Sequence, residues 1–181
     1  MRPRRDPVIL RRLVTVERIP DGTPFELEPG TLGQVTQALG SHFTLEVEGQ
    51  LVRLKGSDAD AIGREPPVAP DFSAEGMPAD LETRVLHTLA TCYDPEIPVN
   101  IVELGLVYAC DLTPMDDERT KVSIQMTLTA PGCGMGDVLA NEVADKVLAL
   151  VGVGEVKVDM VFDPPWDRSR MSEAAMLALG L

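Results

Sequence analysis

Val122-Ser123-Ile124-Gln125-Met126-Thr127-Leu128-Thr129-Ala130-Pro131-Gly132-Cys133-Gly134-Met135-Gly136-Asp137 carries the change of period on which the fold class turns. Strict alternation puts Val122, Ile124, Met126 and Leu128 on one face and Ser123, Gln125, Thr127 and Thr129 on the other, the pattern of a half-buried strand. The alternation ends at Pro131-Gly132. Beyond Asp137 the apolar residues Leu139, Val143, Val147 and Leu150 recur at helical spacing, and Gly152 and Gly154 close that helix. The stretch therefore predicts a strand, a glycine-rich turn and an amphipathic helix over about 137–150. Cys133 stands in the turn, where helix-start N–H groups and the helix dipole favour thiolate over thiol. Thr127 and Thr129 flank it on the face turned away from the core. The glycine cluster at 132–136 lacks the following Lys-Ser/Thr of a phosphate loop.

Working outward, Val156, Val158, Met160 and Phe162 alternate as a third strand that ends at Asp163-Pro164-Pro165-Trp166. Ser172 then caps a short last helix, with Met171 and Met176 placed as a hydrophobic staple. Upstream, a strand is predicted from Leu104 to Leu112, with Leu106, Tyr108, Cys110 and Leu112 on one face. Before it, Asp80 is the N-cap of a helix whose stripe is Leu81, Val85, Leu89 and Cys92. Cys92 and Cys110 both fall on apolar faces and read as core, and His87 lies off the stripe and reads as solvated. Asp94-Pro95-Glu96-Ile97-Pro98 cannot continue a helix, because two prolines remove donors and clash with the preceding turn. It reads as an ordered loop bearing carboxylates, or as a plain helix-ending turn.

The order helix–strand–strand–helix–strand–short helix predicts an α/β (α+β) two-layer domain with a small mixed sheet and packed helices over 80–181. A small antiparallel β unit over 1–62 precedes it. That unit has strands at Leu13–Val16, Phe25–Glu28, His42–Val47 and Gln50–Leu54, the last two joined by a hairpin turn at Glu48-Gly49. Residues 63–79 read as an extended Pro-rich linker.

The bulk numbers narrow the function. The 181 residues are 44% hydrophobic but only 4% aromatic, so the core is expected from Val, Leu, Ile, Met and Ala. Net charge is −13, with residues 1–70 holding nine Lys/Arg against ten Asp/Glu and residues 71–181 seven against nineteen. A strongly acidic second half repels phosphate backbones, so no nucleic-acid partner is expected. Three widely spaced cysteines form no disulfide framework and no zinc pattern. No apolar run reaches the roughly 20 residues of a spanning helix. Met1-Arg2-Pro3-Arg4-Arg5-Asp6 has paired arginines but no h-region after it, so a cytoplasmic protein with no membrane partner is expected.

Two blocks add a resemblance. Asp94-Pro95-Glu96-Ile97-Pro98-Val99-Asn100-Ile101-Val102-Glu103-Leu104-Gly105-Leu106-Val107-Tyr108, followed by Met126-Thr127-Leu128-Thr129-Ala130-Pro131-Gly132-Cys133, resembles the metal–sulfur-cluster biosynthesis accessory domain of the family that includes PaaD-type proteins. The similarity covers roughly residues 80–165. The N-terminal β unit and Phe162-Asp163-Pro164-Pro165-Trp166-Asp167 are similar to its SufT branch. Cys133-Gly134 departs from the Cys-Pro of many relatives. The resemblance implies a non-enzymatic auxiliary factor in iron–sulfur cluster assembly or delivery, with the assembly machinery and client apoproteins as partners. It implies Cys133 as the contact to iron or a transient iron–sulfur cluster, with Asp94, Glu96, Asn100, Thr127, Thr129 and Gly132 supporting it. One cysteine cannot complete a four-ligand cluster site. Further ligands would come from a second copy in a homodimer, a partner protein or a small thiol. Two other readings are an acidic interaction adaptor without metal contact and a cysteine-nucleophile enzyme.

Overall fold

A computed structural model of the chain describes residues 6–67, 80–94, 96–130, 132 and 134–181. The chain divides into two compact units, one of Met1–Ala69 with Pro95–Pro98 and one of Pro70–Asp94 with Val99–Leu181. The expectations placed on residues 1–5, on most of the linker, on Pro95 and on Cys133 lie outside the described residues.

The first unit is a six-stranded antiparallel sheet in the order β1-β4-β5-β6-β2-β3. Its strands are β1 (Asp6–Ile9), β2 (Val14–Arg18), β3 (Pro24–Leu27), β4 (Leu32–Leu39), β5 (His42–Val47) and β6 (Gln50–Lys55), followed by a 3-10 stretch at Gly56–Ile62. Glu48 at φ 51° and Gly49 at φ 79° form the two-residue turn that closes the β5–β6 hairpin, as the Glu48-Gly49 pair predicts. The core is aliphatic: Val8, Leu10, Val16, Leu45, Val52 and Leu54 are buried, with Phe43 the aromatic member.

Two strands of this unit escape the sequence reading. In β4 the inward position is Gly33, whose built Cβ would meet Val47 at 3.1 Å, whereas Leu32 faces out at 68% exposure. Hydrophobicity is therefore inverted relative to the pleat, and the alternation rule finds no signal. Strand β1 is four residues long and contains Pro7, which argues against a strand unless it lies at an edge. It does lie at the edge.

The second unit is mixed α/β. Helix α1 (Leu81–Leu89) precedes β7 (Val107–Pro114) and β8 (Thr120–Met126), which pair antiparallel. Helix α2 (Met135–Leu148) crosses back to β9 (Val153–Met160), which pairs parallel to β8. A short α3 (Glu173–Leu179) ends the chain's regular structure. The helix–strand–strand–helix–strand–short helix order is the expected one. Val122, Ile124, Met126, Val85, Leu89, Val143 and Val147 are buried.

Local chemistry explains the helix ends. Asp80 accepts from the Thr83 N–H at 2.8 Å, and Ser172 Oγ accepts from the Ala175 N–H at 3.0 Å. Helix α2 starts at Met135, earlier than Asp137, because Gly134 serves as N-cap. Strand β7 starts at Val107, later than the predicted Leu104, because residues 100–105 are wound into a turn. A bulge between Val107 and Ala109 then breaks the predicted alternation. Cys110 is consequently half-buried on an outer strand of its sheet, whereas Cys92 is fully buried as expected. His87 is exposed, also as expected.

Candidate functional site

The acidic loop begins where α1 runs out. The Lys146 ammonium caps this end by donating to the Thr91 carbonyl at 2.9 Å, and it pairs with Glu142 at 2.9 Å. Asp94 follows, 8% exposed. The loop is pinched shut by a lone β-bridge between Tyr93 and Asn100, and the Ile101 N–H donates to the Cys92 carbonyl at 2.9 Å. Glu96 is exposed and belongs to the 95–98 stretch grouped with the first unit, so the structure does not describe it together with Asp94.

Asn100 organises the next turn. Its Oδ1 accepts from the N–H groups of Val102 at 3.0 Å and Glu103 at 2.9 Å, an Asx arrangement that substitutes for missing backbone partners. Gly105 completes the turn at φ +69°, and a Cβ there would lie 2.1 Å from the Arg170 carbonyl oxygen. The Leu106 N–H returns to the Ile101 carbonyl at 2.9 Å, and the Leu106 carbonyl accepts from the Thr127 N–H at 2.8 Å. A continuous backbone network thus connects the Asp94 loop, the Asn100 turn and the exit of β8.

Thr127, expected on the face turned away from the core, is instead buried, because the strand alternation stops where β8 ends at Met126. The residue is 1% exposed, and among the described residues its Oγ1 has no hydrogen-bond partner. A hydroxyl in that state costs about 1–3 kcal/mol unless a bound group supplies the missing bond. Thr129 is half-buried two residues on, and Gly132 is exposed at φ +81° with open space where a side chain would stand. The first turn of α2 has no side-chain cap. Gly136 lets that turn approach the strand exit, since a Cβ there would sit 2.9 Å from Leu128 Cδ1.

The other two cysteines are unsuited to reaction. Cys92 is fully buried, its Sγ 3.8 Å from the Thr88 carbonyl. Burial pushes the Cys110 thiol above its ordinary value, and the carboxylates of Asp111 and Glu82 add to the shift. Among the described residues no three His, Cys, Asp or Glu side chains converge as a metal site. No helix among them is long and apolar enough to cross a membrane.

The sequence reading missed how the C-terminal segment is fastened to the Asn100 turn. Trp166 Nε1 donates to the Leu104 carbonyl at 2.8 Å, and the Ser172 N–H donates to the Glu103 carbonyl at 2.9 Å. The Ser172 hydroxyl also bonds the Glu103 carboxylate. Tyr108 OH donates to the Pro164 carbonyl at 2.9 Å, and the Arg170 guanidinium lies 4.2 Å from the Tyr108 ring centroid. These partners are about 60 residues apart, and no local pattern encodes them.

The second unit is a mixed α/β unit that carries the acidic loop and a glycine-bearing turn between β8 and α2. Residues 82–158 match the family model described as iron-sulfur cluster assembly protein, and the chain belongs to that family. It is 44% identical over 99 residues to a Porphyromonas gingivalis (strain ATCC BAA-308 / W83) protein named Fe-S protein maturation auxiliary factor, a match covering 55% of this chain and 90% of the relative. It is 38% identical over 105 residues to the Bacillus subtilis (strain 168) Fe-S protein maturation auxiliary factor YitW, covering 58% and 99%. The Staphylococcus aureus (strain USA300) Fe-S protein maturation auxiliary factor SufT is 38% identical over 88 residues, covering 49% and 96%.

Proposed function

We propose that this chain is a non-enzymatic auxiliary factor that helps pass iron or an iron–sulfur cluster to client apoproteins, with Cys133 as its sulfur contact. The cluster is cargo, held transiently and completed by ligands from the assembly machinery, the client or a second copy. The observation that carries the reading is the 44% identity to a relative named as a maturation auxiliary factor. The sealed Thr127 hydroxyl, six residues before Cys133, supports a bound group at this loop. Soft thiolate sulfur is the usual cluster ligand, and the start of α2 favours the ionised form. Asp94, Glu96, Asn100, Thr129 and Gly132 shape the loop and its acidic surroundings in this reading.

The test is complementation of a strain lacking the protein, read out as the activity of an aconitase-type cluster enzyme. Cys133→Ser is expected to lose support, while Cys92→Ser and Cys110→Ser keep it. Full rescue by Cys133→Ser would remove the thiol from the mechanism and leave the adaptor reading. Anaerobic reconstitution with iron and sulfide, followed by absorption for each cysteine variant, provides a second readout.

A further inference from the structure

The outer face of the β1–β4–β5 edge in the first unit carries an open groove of about 540 Å³. Its floor is apolar. Ile9 and Leu32 are cross-strand partners, 57% and 68% exposed, and Pro7 lies beside them. The opposite face of the same strands holds Val8, Leu45 and Val47 in the core, so these outward apolar residues are surplus to the unit's own packing.

The charged groups at the groove are both carboxylates. Glu46 and Glu48 line it, and Glu48 stands in the tight hairpin turn. Gln34, cross-strand partner of both Pro7 and Glu46, has its Oε1 sealed from solvent and, among the described residues, without a donor. Among the described residues no lysine, arginine or histidine lines the groove. An occupant that carries positive charge beside an aliphatic body complements these two carboxylates and the apolar floor.

We propose that this groove docks a basic–apolar peptide segment of a partner protein, a lysine or arginine alternating with an aliphatic residue. The aliphatic side chain covers Ile9 and Leu32, and the cation reaches Glu46 and Glu48. An open trough beside an edge strand accommodates an extended segment, and its volume falls within the roughly 300–1,000 Å³ of small ligand sites. The proposal does not rest on Cys133, and it concerns residues outside the 82–158 family match.

The test uses the full, isotope-labelled chain titrated to about 1 mM with a short acetylated, amidated peptide of alternating lysine and leucine. A glutamate–leucine peptide of the same length is the control. Saturable shifts at the amides of Ile9, Gly33, Gln34 and Glu46 are expected with the basic peptide alone. Glu46→Gln with Glu48→Gln should weaken binding about tenfold at an unchanged melting temperature. The proposal is overturned by no saturable shift, by equal binding of the acidic peptide, by shifts confined to other surfaces, or by full affinity in the folded double variant. The wild-type titration alone can refute it.

Discussion

Thr127 and Leu106 are joined by a backbone hydrogen bond of 2.8 Å, which fixes the exit of β8 to the turn that follows the acidic loop. The same bond holds the threonine where its hydroxyl is buried and, among the described residues, unpartnered. Replacing that hydroxyl by a methyl group removes a desolvation cost and keeps the shape. Thr127→Val is therefore expected to stabilise the isolated protein by about 1–2 kcal/mol in urea unfolding. It should at the same time impair support of cluster enzymes in the complementation assay. A stabilised variant with full function would show that the hydroxyl serves no ligand.

Gly105 is the position most sensitive to a single added carbon. An alanine there must take φ +69° and overlap the Arg170 carbonyl, a backbone atom that cannot swing aside. Gly105→Ala should cost about 2–4 kcal/mol. Equilibrium unfolding reads the loss, and wild-type stability would show that the C-terminal segment moves freely away from the turn.

Cys110 offers an internal control for thiol reactivity. Burial first, then Asp111 and Glu82, holds its thiol pKa above the ordinary 9.0. Its thiolate fraction at neutral pH is accordingly below that of a free cysteine. Site-resolved iodoacetamide labelling should place its half-rise above the unfolded chain's. Labelling of Cys110 at or below the unfolded midpoint would contradict this environment.

Acid should act on the helix starts. The Asp80 carboxyl is held below its ordinary value, first by its hydrogen bonds from Thr83. Asp167 is held low by Ser169 in the same way. A carboxyl lowered in the folded state contributes stability that is complete above the unfolded value near 3.8 and is lost as pH falls through the folded one. Asp80→Asn keeps a capping oxygen and removes the titration. Thermal melts across the acid range should therefore show a shallower decline for Asp80→Asn than for the parent chain.

Local sequence determined much of the second unit. The alternation of Val122 to Met126 specified β8, though not the buried exit at Thr127 beyond it, and Asp80 and Ser172 specified helix starts, because each of these effects acts within a few residues. Asn100 also carried a local signal, an Asx residue two and three positions ahead of the N–H groups it satisfies. Tertiary structure alone decided the rest. It sealed the Thr127 hydroxyl, left Cys110 half-exposed on a bulged outer strand and stitched Trp166 and Ser172 to the turn at 103–104. It also turned Leu32 outward and Gly33 inward in β4. Burial and hydrogen-bond satisfaction depend on which distant segments meet, and residue order along the chain does not contain that information in any window of a few turns.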